Sequence, residues 1–160
     1  ALRLIFENVN IDNSADSEII CRELQQLSSE GKIIYGESNR WSFSTKEMDE
    51  FLPALIDANS SWGTNYVYWY WFEKYEDALV IHFELGGWNT TEEHKKHMSA
   101  LIEVSGKKQD DFRYKRLYYK KVKLSQDDYE ESLKKAVRTL VDNAIKNETM
   151  LLNKAKELLN

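Results

Sequence analysis

Apolar positions recur with two different periods along this chain, and the changes between them mark out its elements. In residues 16–29, Ile19, Ile20, Leu24 and Leu27 approximate one helical face, with Gly31 where a left-handed C-terminal cap sits. Residues 32–37 and 40–45 alternate or run apolar around Ser38-Asn39, which is a hairpin pattern. Ser44-x-x-Glu47 resembles a capping box that opens a helix through Met48, Phe51, Leu52 and Leu55, with Pro53 kinking it or starting a new turn. Ahead of these, Leu2, Leu4, Ile5 and Phe6 alternate in part, as a short strand or a packed tail would. Residues 59–63 (Asn-Ser-Ser-Trp-Gly) form the best internal linker.

The second part opens with the strongest strand pattern. Residues 65–72 are β-branched and aromatic, and alternation places Tyr66, Tyr68, Tyr70 and Phe72 on one face and Val67, Trp69 and Trp71 on the other. Residues 78–85 give the returning strand, and Gly86-Gly87 ends it. Thr90-x-x-Glu93 caps a helix carrying Met98, Leu101, Ile102 and Val104, which stops at Gly106. Residues 112–124 form a third strand, and Ser125-x-x-Asp128 starts a last helix reaching about residue 159 on the stripe Leu133, Val137, Leu140, Ala144, Leu151, Ala155 and Leu158. The fold class expected is α+β: an aromatic-rich antiparallel hairpin and a third strand packed with helices, a long C-terminal helix, and a smaller N-terminal α-β-β-α unit. The division expected is residues 1–60 and 61–160, packed separately or as one globule.

Composition narrows the classes. With 42% apolar residues and five Trp, nine Tyr and six Phe among 160, the chain carries more than a disordered segment holds. A single cysteine, Cys21, rules out an internal disulfide framework. It reads as a small buried side chain, because no local signature lowers a thiol pKa. The longest apolar run is far short of the roughly 20 residues that span a bilayer, and no basic segment leads into an apolar one, so a cytoplasmic location without membrane contact is expected.

Charge changes the picture more. The net charge is −5, yet residues 107–125 hold eight bases against two acids, a local +6. A globally acidic domain repels polyanions at long range, but a local patch acts within the Debye length of about 8 Å. The candidate nucleic-acid contacts are Arg113, Lys115, Arg116, Lys120, Lys121 and Lys123, interleaved with Phe112, Tyr114, Tyr118 and Tyr119. Simple alternation sends Lys115, Tyr119, Lys121 and Lys123 one way and Arg116, Tyr118 and Lys120 the other. The competing reading is an edge strand whose lysines block aggregation. Tyr68, Tyr70 and Trp88 form the candidate aromatic surface, since a strand aromatic on both faces is either buried on both or offers a stacking platform on one.

Other motifs carry less chemistry. His94 and His97 share a helix face but lack the spacing of a metalloprotease helix, and lysines lie between them, so neither a metal nor a cofactor is expected. His82, Glu84 and Trp88 are the residues around which an enzyme assembled from distant positions would form.

Taken together, "YVYWYWFEKYEDALVIHFELGGWN", "TTEEHKKHMSALIEV", "RYKRLYYKKVKL" and the long last helix resemble the C-terminal accessory region of bacterial PD-(D/E)XK nuclease superfamily proteins over roughly residues 60–160. That superfamily cuts phosphodiesters with magnesium through an Asp followed by Asp/Glu-x-Lys. Here Glu84 is followed by Leu85 and Gly86, so no catalytic residue transfers and the resemblance implies the accessory part alone. The function expected is a non-catalytic module of a nucleic-acid-processing protein that contacts phosphates through its basic strand. The alternative is a protein-interaction or homodimerisation domain using the aromatic hairpin and the long last helix, whose end beyond about Asn147 would project past the core.

Overall fold

The computed structural model describes residues 14–56, 62–86 and 90–160. The reading of a first strand or tail at residues 1–10, most of the linker, and Gly87 and Trp88 lie outside the described residues. In chain order the elements are α1 (Ser14–Ser29), β1 (Ser42–Phe43), α2 (Lys46–Phe51), β2 (Tyr68–Tyr75), β3 (Ala78–Gly86), α3 (Glu92–Val104), β4 (Tyr114–Lys123) and α4 (Tyr129–Leu159). The four strands form one antiparallel sheet in the order β1-β2-β3-β4, so the fold is α+β.

Strand β2 starts three residues later than the aromatic run and continues to Tyr75, where a two-residue turn, Glu76-Asp77, leads directly into β3. The hairpin pattern of residues 32–45 is only partly realised. Ile34 and Ser44 form an isolated bridge, a 3-10 turn occupies Glu37–Asn39, and β1 pairs with β2 instead. Burial accounts for the pairing with β2: the fully buried Phe43 stacks on Tyr70, and the fully buried Trp41 donates its indole N–H to Ser17 of α1, while a single bridge remains on the opposite edge. Ser125 does not start the last helix, which begins at Tyr129 after Asp128 with no side-chain cap bond, and the other two capping boxes are displaced by one residue. Thr45, not Ser44, accepts from the Met48 N–H, and Thr91, not Thr90, accepts from the His94 N–H, because these threonines hold the extended backbone an N-cap needs. Helix α2 ends at Phe51, two residues before Pro53, where the ring forbids further turns.

Helix α4 packs on the face of the sheet that carries Tyr68, Tyr70 and Phe72 of β2 and Ile81, Phe83 and Leu85 of β3. Helices α1 and α3 flank it. Within that layer Phe43 stacks on Tyr70 at 5.0 Å and Tyr70 on Phe83 at 4.6 Å. Arg138 of α4 holds Glu23 of α1 and Glu30 just past its end, each at 2.9 Å. Ile20, Leu24 and Trp41 belong to the same hydrophobic cluster as Leu133, Leu140 and Ala155, so one core crosses residue 60. The end of α4 does not project past that core, since Leu151, Leu152 and Ala155 are buried in this chain. Among the described residues, no helix is long and apolar enough to cross a membrane.

Candidate nucleic-acid interface

The register of β3 with β4 decides which basic side chains share a face. Phe83 pairs with Tyr118, but Glu84 pairs with Arg116, so Leu117 is an extra residue in the ladder: a β-bulge. The bulge reverses the phase of everything before it. Arg116 and Tyr114 therefore join Tyr119, Lys121 and Lys123 on the face away from α4, while Lys115 joins Tyr118, Lys120 and Val122 on the α4 side. Unbroken alternation had put Lys115 in the first group and Arg116 in the second. The one extra residue exchanges them.

Neutralisation separates the cations further. Lys115 sits against Asp110, lies 2.8 Å from the carbonyl of Lys108 and rests near the Phe112 ring, so it is occupied within its own loop. Asp110 is held below the usual carboxylate range by that contact. Arg116 reaches Glu84 at 3.5 Å and lies over the Tyr119 ring. Arg113 lies over the Tyr114 ring. Lys120, Lys121 and Lys123 are exposed and have no carboxylate within ion-pair distance among the described residues. Strand β4 is the sheet's outer strand, so one side of its backbone is unpaired, as edge protection by lysine requires.

Beside this row the same face carries a network. His82 stacks on Trp71 at 4.2 Å, and its Nε2 lies 3.0 Å from Glu73. Burial pulls the His82 imidazole below its ordinary pKa despite that carboxylate, and its Nδ1 is buried without a hydrogen-bond partner. Trp71 donates its indole N–H to Glu84, whose pKa burial raises against the pull of Arg116. Tyr119 is half exposed beside it.

The other sequence candidates fall elsewhere. Tyr68 and Tyr70 are fully buried and form no surface: Tyr70 donates to Glu148 at 3.0 Å, and Tyr68 donates to Asp49. Trp88 lies outside the described residues. His94 and His97 clasp the end of α2, with ring nitrogens 2.6 and 2.8 Å from the carbonyls of Pro53 and Phe51. Among the described residues, no three His, Cys, Asp or Glu side chains form a group that could hold a metal.

Two features were not read from sequence. Glu148 of α4 is buried, accepts from Thr45 Oγ1 at 2.6 Å and from Tyr70, and has its pKa pushed up to about 7, chiefly by burial. Its signal was available, since it falls four residues after Ala144 on the apolar stripe. The second is a groove of about 540 Å³ beside β1, lined by Trp62, Tyr66, Trp69 and Arg40. Its lining comes from two stretches, between Ile34 and Ser44 and between Trp62 and Trp69, which no local pattern links.

The fold and this face define a two-layer α+β module with a basic, aromatic outer strand. No family model, curated protein or solved structure matches the chain.

Proposed function

We propose that this protein is a non-catalytic nucleic-acid-binding module, working beside a larger nuclease-like protein, that holds a phosphate backbone along β4. The observation that carries this reading is the row Arg116, Tyr119, Lys121 and Lys123 on one face of the outer strand, with both lysines unpaired among the described residues. Side chains on one face of a strand repeat about every 6.8 Å, close to twice the per-strand rise between phosphates. Edge protection accounts for lysines on either face; it gives no reason for an exposed tyrosine and a tethered arginine in register with them. Contacts of this kind position a backbone without reading its sequence.

Electrophoretic shifts at low salt with duplex DNA, single-stranded DNA and RNA test the proposal. The expected result is a complex that weakens steeply with salt. No complex with any of the three ends the reading.

A further inference from the structure

The groove beside β1 extends the binding track, and its residues differ in kind from those of β4. Its aromatic wall is Trp62, Tyr66 and Trp69, with Tyr66 tilted on Trp69 at 4.6 Å between ring centres. Its polar lining includes Asn39, Asn65 and Arg40, and no acid is among the described lining residues. At about 540 Å³ it falls within the roughly 300–1,000 Å³ of small-molecule sites.

Arg40 is the unusual member. Its φ is 55°, making it the one non-glycine residue with positive φ among those described, and a residue with a side chain adopts that conformation at a cost. The conformation is imposed: Tyr35 Oη donates to the Arg40 carbonyl at 2.6 Å, Cys21 Sγ approaches the same oxygen at 3.5 Å, and Trp41 next to it is fully buried. The Arg40 guanidinium has no partner among the described residues. A glycine would fit this backbone more easily, yet the position carries a cation beside three rings.

The groove is also continuous with β4. Trp62 stacks on Tyr114, the first residue of β4, at 5.5 Å and 23°, and Arg113 lies over the Tyr114 ring. Rings and cations therefore alternate from Arg40 across the end of the sheet to Arg116 and the exposed lysines.

We propose that this groove takes an unstacked base of a single-stranded nucleic acid, with Arg40 on the adjoining phosphate and the strand's backbone continuing along β4. The inference rests on the β4 reading and adds to it a preference for single strands. Aromatic side chains accept every base by its face, whereas a duplex keeps its bases stacked inside. Arg40 supplies the charge complementarity, and the amides of Asn39 and Asn65 can meet a base edge.

The test is tryptophan fluorescence titration of the full chain at low salt with oligothymidylate and with an abasic strand of equal length and charge. The expected result is quenched emission and about tenfold tighter binding for oligothymidylate, as one stacked base implies. Arg40→Gly, which suits the backbone, should weaken binding of both strands and lower the salt slope by about one phosphate contact, while the preference for oligothymidylate and the thermal stability are kept. Equal binding of both strands without quenching, or an unchanged affinity in Arg40→Gly, overturns the groove assignment and leaves β4 standing. Binding of neither strand overturns the groove assignment, and the β4 reading falls with it only if duplex DNA and RNA give no complex either.

Discussion

The two faces of this sheet are built from the same strands and a similar supply of aromatic rings. On the α4 side, Tyr68, Tyr70, Phe72 and Phe83 are fully buried, and the tyrosine hydroxyls are used up on Asp49 and Glu148. On the other side, Trp71 and His82 anchor a network that ends in Arg116, a half-exposed Tyr119 and two lysines without partners among the described residues. Both faces bury rings over the inner strands, since Trp69, Trp71 and His82 on the second face are buried as well. Only the second face lines up, along the outer strand, an arginine, a half-exposed tyrosine and two exposed lysines, which is what an external anion needs. Aromatic content alone does not distinguish a platform from a core; the place of a ring in the sheet does.

The largest effect that would sharpen this contrast is loss of the Tyr70 ring. Tyr70→Ala removes stacking on Phe43 and Phe83 and strips Glu148 of a donor, so urea denaturation should show destabilisation of about 3–5 kcal/mol. Tyr119→Ala on the opposite face should change stability by no more than about 0.5 kcal/mol. Comparable losses at the two sites would break the comparison.

Next in size is a dependence on pH carried by Glu148. Its carboxyl is pushed up to about 7, above its ordinary 4.5, so the folded state binds this proton more tightly than the unfolded state does. The resulting stability is fully present below about pH 4.5 and is lost as pH rises through about 7, roughly 3 kcal/mol in all. Denaturation at pH 5 and pH 8 measures it, and Glu148→Gln, which keeps an oxygen for Thr45 and Tyr70, should flatten that slope. An unchanged slope in Glu148→Gln would assign it to other groups.

Smaller effects belong to the β4 face. Lys121→Ala with Lys123→Ala should reduce the slope of log affinity against log salt by about 1.4–1.8, with little change in stability. Lys115→Ala should leave that slope nearly unchanged, because Asp110 already neutralises Lys115. Equal effects at Lys115 and at Lys121 would show that the two faces do not differ as binding surfaces.

Much of the architecture was legible in the chain. The 3.6-residue stripe of α4 and the period of the aromatic hairpin placed Tyr129–Leu159, Glu92–Val104 and the β2–β3 pair to within a few residues, since local patterning reflects which face each element buries. Two caps slipped by one residue because adjacent hydroxyl residues compete for the same role until backbone geometry selects one. The hairpin at residues 32–45 shrank to one bridge, because a 3-10 turn takes up Glu37–Asn39.

The candidate site was less legible. Its six basic residues were visible as a charge run, but their division between faces depends on the bulge at Leu117, which is set by pairing with β3. The groove at Arg40 gathers residues from between Ile34 and Trp69, whose proximity only the folded sheet creates.

The sequence by itself determined the element types, the long amphipathic helix and the concentration of positive charge, because each depends on neighbours within one or two turns. Tertiary structure alone decided which aromatic side chains became core, that Arg116 and not Lys115 joins Lys121 and Lys123, and that a glutamate on an apolar stripe meets a threonine and a tyrosine. Those outcomes depend on pairing across long stretches of chain, where a shift of one residue turns a side chain to the opposite face.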